Sequence, residues 1–204
     1  ILESLDLKLG WPKNWVRKTI DTIKMIVKFN KPFNVLSQFS DNSENSNERG
    51  NLSDFISIPK IYPVGRLDKD SEGLMLLSDD GKLQHRISSP KNKIKKTYYV
   101  QVEGKPKQAD LDLLRGGIKL KDGITRPAEV KIIEAPCLWD RDPPIRVRKT
   151  VPDSWLEIII YEGRNRQIRR MTAAVGCPVL RLIRIKIGSY SLDNLMPGDF
   201  QTIA

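Results

Sequence analysis

The sequence predicts an α+β fold, a mixed and largely antiparallel sheet with flanking helices. Two observations carry that expectation. Runs rich in β-branched and aromatic residues recur at Met25–Phe29, Thr97–Val102, Trp155–Tyr161 and Val179–Ile187, each the length of one strand. Short pieces with helical spacing and compact turns such as Lys121-Asp122-Gly123 lie between them, an order that suits hairpins and surface helices.

The first 24 residues form an N-terminal extension to which the sequence assigns no role. They hold Trp11 and Trp15 and a helix-like piece from Asn14 to Ile23 with Val16, Ile20 and Ile23 at helical spacing. The strand at Met25–Phe29 leads into Lys31-Pro32-Phe33-Asn34-Val35-Leu36-Ser37, where Asn34 occupies a turn and tolerates positive φ better than most residues. The polar stretch SDNSENSNERGNLS, Ser40–Ser53, has no apolar periodicity and reads as a surface loop. Leu52–Ile58 is a short apolar return.

Tyr62–Gly81, YPVGRLDKDSEGLMLLSDDG, reads as strand, loop, strand closed by an Asp-Asp-Gly turn. On extended backbone Arg66 and Asp68 share one face and Leu67 takes the other. Alternation in the later strand likewise sets Lys96, Tyr98 and Val100 on one side and Tyr99 on the opposite one. A short helix from Gly104 to Leu114 is followed by a hairpin, Ile118–Leu120 with Ile124–Ile133, in which Pro127 demotes part of the second strand.

The segment Ala135–Pro152, APCLWDRDPPIRVRKTVP, interleaves Trp139 with Arg141, Arg146, Arg148 and Lys149, groups suited to phosphate contact and stacking on RNA. After the strand ending at Glu162-Gly163, Asn165 can cap a helix. Ile168, Met171 and Val175 face inward on it, and Arg166 and Arg170 lie one turn apart. Val179–Ile187 alternates apolar and basic residues and reads as a half-exposed strand with a cationic face.

Composition narrows the function classes. The chain has 204 residues, enough for one sizeable domain or two small lobes, and a net charge of +10 that points to a polyanionic partner. No apolar run reaches the ~18 residues of a membrane span, and the order of charges is not that of a signal peptide, so a cytoplasmic protein is expected. Two cysteines far apart, Cys137 and Cys177, and the single His85 indicate neither a disulfide framework nor a zinc cluster; both thiols are expected to be buried and His85 to lie at the surface or half-buried. There is no P-loop or G-x-G-x-x-G.

Three motifs carry a resemblance. The string G-R-L-D-x-x-S-x-G-L-x-L-L-S-x-D-G from Gly65, the K-x-Y-x-V of Lys96, Tyr98 and Val100, and E-G-R-N-R-Q-I-R-R-M from Glu162 resemble the pseudouridine synthases that act on ribosomal RNA. Lys31–Ser37 resembles the family's first motif, with Asn34 where glycine is usual. The likeness extends from about Met25 to the C-terminus, and the Ala135–Pro152 insertion is similar to that of the subfamily acting as large-subunit synthase E.

The resemblance implies two lobes around a central catalytic cleft, with residues 25–204 as the catalytic domain. It also implies a reaction without a cofactor or metal, since uridine and pseudouridine are isomers. Asp68 becomes the catalytic carboxylate, acting on the ribose as a nucleophile or by removing a sugar proton. Arg169 would pair with Asp68, Tyr98 would stack on the uracil, and Leu182 would floor the base pocket. Arg66 could fill the vacated base stack. Lys96, Arg166, Arg170, Arg146 and Arg148 would meet RNA. The expected partner is ribosomal RNA, 23S before 16S, free or in a pre-ribosomal particle, bound by a monomer without a separate recognition domain.

Two other readings of the residues stand beside this one. The protein could be a non-catalytic RNA-binding ribosome-assembly factor with Asp68 as scaffold. It could also be a glycoside hydrolase using two of Asp68, Asp70 and Glu72, which requires carboxylates on opposite sides of a sugar cleft.

Overall fold

The structure, a computed structural model, describes residues 24–40, 50–145 and 150–203. Trp11, Trp15, the expected helix at 14–23, most of the Ser/Asn-rich loop, and Arg146 and Arg148 lie outside the described residues.

In chain order the strands are β1 (Ile26–Lys31), β2 (Tyr62–Pro63), β3 (Glu72–Ser78), β4 (Lys96–Glu103), β5 (Lys119–Leu120), β6 (Gly123–Ile124), β7 (Glu129–Ile133), β8 (Asp153–Ile160), β9 (Val179–Ile187), β10 (Tyr190–Ser191) and β11 (Phe200–Ile203). The helices are α1 (Gly81–Ser88), α2 (Gln108–Gly116) and α3 (Gln167–Ala174). Among the described residues nine strands form one mixed sheet, in the order β11-β1-β3-β9-β4-β8-β7, with β2 and β10 at its sides. Its pairings are antiparallel except where β3 meets β9. No described helix is long and apolar enough to cross a membrane.

The one parallel seam joins two halves. Strand β3 is buried along its whole length because both its faces are covered, which is why it reads as a continuous apolar run rather than an alternation. Met75 and Leu77 pack with Val27, Phe29, Leu52 and Ile56, while Leu74 and Leu76 pack with Val64, Leu83, Ile87 and Ile187. A larger core under the other half unites Val100, Val102, Leu114, Leu156, Ile158 and Met171. At the seam Gly73 has φ +100°, and a Cβ there would lie 2.4 Å from the carbonyl oxygen of Arg184. Only glycine allows this approach.

Helix α1 is capped by Asp80, whose carboxylate accepts from the Lys82 amide, and it buries Leu83 and Ile87 one turn apart. Leu111 and Leu114 do the same for α2.

Several expectations are corrected. The hairpin is short, β5 with β6; the chain then breaks at Thr125–Ala128, around Pro127, and β7 joins the main sheet beside β8 instead. Asn165 does not cap α3, which begins at Gln167 with Arg166 as N-cap in the left-handed region, φ +46°. Of the basic residues of β9 only Lys186 is exposed; Arg181 is 7% exposed and Arg184 3%, so they make no solvated face. Cys177 is buried as expected, whereas Cys137 is exposed.

Candidate active site

A cleft of about 680 Å³ opens between the loop before β3, the start of α3, and the β4–β9 region of the sheet. Asp68 lines it together with Arg66, Lys96, Tyr98, Arg166 and Leu182, so six side chains singled out from sequence converge on one hollow. Its charged lining among the described residues is Asp68 against Arg66, Lys69, Lys96, Arg164, Arg166 and Arg184. A single carboxylate therefore faces six cations.

The loop carrying Asp68 is held by backbone bonds that its own sequence does not reveal. The Ser37 hydroxyl donates to the Leu67 carbonyl at 2.7 Å and accepts from the Leu67 amide at 3.0 Å, pinning the residue before Asp68 from both sides. The Asn34 amide donates to the Lys69 carbonyl at 3.0 Å, and the Ser71 amide closes the turn onto the Asp68 carbonyl at 3.0 Å. Asn34 makes its turn at φ +62°, which asparagine tolerates. Lys31, fully buried, donates to the carbonyls of Pro32, Val35 and Lys69 at 2.8, 2.7 and 3.3 Å. Burial pushes the pKa of this amine down to about 7, against the opposing pull of the Glu72 and Asp70 carboxylates. Three carbonyls match the three protons of its ammonium form.

The floor depends on a slip in the sheet. Thr97 sits opposite Lys186 but Tyr98 opposite Arg184, so Ile185 is an extra residue on β9. An inserted residue reverses the alternation beyond it, which lets Leu182, Arg184 and Ile187 all line the cleft despite their mixed parity. Tyr98 is 7% exposed, with Leu182 in the same core cluster. Burial lowers the pKa of Lys96, and the Arg184 charge lowers it further. Arg184 donates through Nε to the Leu74 carbonyl at 2.8 Å and thus spans the parallel seam.

The expected contact between Arg169 and Asp68 is not formed. Arg169 grips the following turn: its Nη2 donates to the Asp70 carbonyl at 2.6 Å, and its Nε lies 3.4 Å from Asp70 Oδ2. Arg166, freed from the helix by its left-handed conformation, is the cation at Asp68, with Nη1 3.7 Å from Oδ2. The same guanidinium clasps Asp70 through two bonds of 2.9 and 2.7 Å. Burial would raise the Asp70 carboxyl, but the Arg166 hydrogen bond and the Arg169 charge outweigh it and hold the group below the usual carboxylate range. Arg170 does not line the cleft; it is partly exposed and forms a bidentate pair with Asp122 at 2.7 and 3.0 Å. Asp70 and Glu72 do not line the cleft, so the arrangement lacks the second facing carboxylate a glycosidase needs.

Such a site can extrude a base onto an apolar floor, stack it, and set one negative charge beside the sugar within a cationic trough. A family model described as RNA pseudouridylate synthase matches residues 25–174. The chain belongs to the RNA pseudouridylate synthase family. The synthase is 57% identical over 178 residues to a protein of Xanthomonas campestris pv. campestris named ribosomal large subunit pseudouridine synthase E, covering 87% of this chain and 94% of that one. A Vibrio vulnificus protein of the same name is 52% identical over 181 residues, 89% of this chain and 76% of that one. A crystal structure of a pseudouridylate synthase superposes with a TM-score of 0.72 at 30% identity, over 89% of this chain and 70% of that one. The archaeal box H/ACA Nop10–Cbf5 complex shares the fold, with a TM-score of 0.54 at 14% identity over 84% of this chain and 50% of that one.

The synthase is therefore an isomerase, and the sequence-based set omitted Lys69, Arg164 and Arg184 of the cleft wall as well as Lys31 and Ser37, which hold the acid loop. Lys31 and Ser37 were quoted only as parts of a motif. A lysine between an apolar strand and a proline was the available signal for the first; nothing local announced the second.

Proposed function

We propose that this protein converts a uridine of ribosomal RNA, in the large subunit, to pseudouridine, with Asp68 as the catalytic carboxylate. The observation that carries this reading is the lone Asp68 in a cationic cleft beside Tyr98 and Leu182. The names of its relatives in Xanthomonas and Vibrio favour the large subunit. The working unit is residues 25–204, longer than the family match, because Leu182 and Arg184 on β9 line the cleft.

A uracil inside a helix hides both its glycosidic bond and carbon 5, so the nucleotide is extruded at a cost of about a few kcal/mol, offset by phosphate contacts to the cationic wall. Arg66, exposed at the rim, takes the vacated stacking position. The bond between C1′ and N1 breaks, the uracil turns, and a bond forms between C1′ and C5. The proton on C5 leaves and N1 gains one, so atoms balance without an outside reactant. Asp68 acts on the ribose, with Arg166 beside it and Arg169 bracing the turn. The ionised acid stabilises positive charge developing at the sugar. Tyr98 stacks on the free uracil and accepts the C5 proton, while Lys96 supplies a cation to the bound nucleotide.

The test is incubation with large- and small-subunit ribosomal RNA carrying tritium at carbon 5 of uridine. Release from the large-subunit RNA that is abolished in Asp68→Asn, with RNA affinity kept, is the expected result. Binding without release would mean a silent assembly factor, and release from small-subunit RNA alone would overturn the target.

A further inference from the structure

The segment 135–145 is irregular and lines no part of the cleft, yet it is fastened to the two strands that form the parallel seam. Trp139 donates its indole N–H to Glu72 Oε2 at 2.9 Å. The same carboxylate, 2% exposed, receives Nε and Nη2 of Arg181 at 2.9 and 2.8 Å, and the Arg181 guanidinium lies 5.6 Å from the Trp139 ring centroid. Two residues on, Arg141 stacks on Phe33 with 4.3 Å between guanidinium and ring centroid, and it donates to the Leu180 carbonyl at 3.4 Å. Further bonds to the carbonyls of Pro143 and Pro144 at 2.8 and 3.3 Å fold the segment onto that arginine.

These anchors fall at both ends of the acid loop. Glu72 directly follows Asp70 and Ser71, which Arg169 holds. Phe33 directly precedes Asn34, whose amide holds the Lys69 carbonyl. The segment thus touches the far end of the loop through Trp139 and its near support through Arg141. A buried Arg–Glu pair alone is weak evidence of a stabilising purpose, because desolvation offsets its attraction. Adding an indole donor to satisfy the carboxylate makes it a rigid three-element junction.

We propose that Trp139 is a positioning residue, through which the 135–145 strap fixes the loop that presents Asp68. The part concerning turnover rests on the proposed function; the part concerning the loop does not. Trp139→Phe keeps a ring against Arg181 and removes only the donor to Glu72. The full chain carrying Trp139→Phe is compared with wild type by amide hydrogen exchange and by turnover on large-subunit ribosomal RNA.

The expected result is exchange about tenfold faster at the Ser71 and Leu67 amides, with Val102 near the end of β4 beyond the site unchanged, and kcat lowered about tenfold at unchanged RNA affinity. Trp139→Gln, which restores an N–H donor without the ring, should recover part of both. Unaltered protection of Ser71 and Leu67 overturns the proposal whether or not the wild type forms pseudouridine. Weaker RNA binding with kcat intact overturns it too, since the strap would then serve RNA alone. If Trp139→Phe does not fold, Phe33→Leu, which loosens the other anchor, should raise exchange at the Asn34 amide and lower kcat. Failure of Phe33→Leu to change either rejects the idea.

Discussion

Replacing Gly73 with alanine should damage stability and turnover together, and the size of the effect follows from the seam. At φ +100° a side chain costs about 1–3 kcal/mol. The new Cβ would also sit 2.4 Å and 2.8 Å from the backbone O and N of Arg184 and 2.9 Å from Ile183 Cγ2. Backbone atoms cannot rotate away, so β3 and β9 must separate, an overpacking cost of about 1–3 kcal/mol. Together these give roughly 2–6 kcal/mol, or a Tm lower by about 4–24 °C for a chain of this size. The separation acts between the strand that follows Asp68 and the strand that carries Leu182. Misplacement by about 1 Å between reacting groups can cost about 100-fold in rate. Thermal melts followed by circular dichroism and the tritium-release assay read the two effects. Gly81→Ala, where an added Cβ meets nothing within 4 Å, is the control. A Tm within about 2 °C of wild type and turnover within about twofold would refute the claim that the seam needs a bare backbone.

Two arginines of α3 should separate in kinetics. Arg169→Ala is expected to lower kcat more than Arg170→Ala, because Arg169 braces the Asp70 turn whereas Arg170 holds Asp122; equal losses would count against that assignment. Tyr98→Phe keeps the stacking ring and removes the phenol, so kcat should fall by about 100-fold or more while RNA affinity holds. An unchanged rate would remove proton transfer from this side chain. Lys31 should leave a mark on stability against pH. Its folded pKa, about 7, lies below the unfolded value of 10.5, so between them the unfolded chain holds the extra proton. The group's contribution rises with pH through that window and is lost as pH falls to 7. Unfolding free energies of wild type minus those of Lys31→Met should climb by about 1.4 kcal/mol per pH unit between about pH 8 and 10. Parallel curves would show that the amine keeps its proton throughout.

The family motifs brought Asp68, Tyr98 and Leu182 to one site, while sequence periodicity added that Tyr98, and not Tyr99, shares a face with Lys96. Periodicity misjudged β9, where Arg181 and Arg184 read as solvated cations. Their acceptors, the Glu72 carboxylate and the Leu74 carbonyl, lie more than a hundred residues away, and no periodicity encodes them. The resemblance implied that Arg169 pairs with Asp68, whereas Arg169 holds Asp70. Asp68 and Asp70 sit two positions apart in one loop, and the choice between them depends on where α3 starts, a boundary that Arg166 displaced by adopting a left-handed conformation. The short hairpin was misread for a similar reason: Pro127 was recognised as a fault in a strand but not as the point where the chain changes partners.

Strand β1 is completed by β11, with Ile26 opposite Ile203 and Phe29 opposite Phe200. Its other partner, β3, ends at Ser78, so at about 5–20 residues per second of synthesis β11 arrives roughly 6–25 s later. Throughout that interval one rim of β1 carries open amides and carbonyls, the template on which stray chains add. A newborn molecule of this kind therefore has a long vulnerable period, and its yield in a cell should depend on chaperone supply and growth temperature more than the finished protein's melting point would suggest.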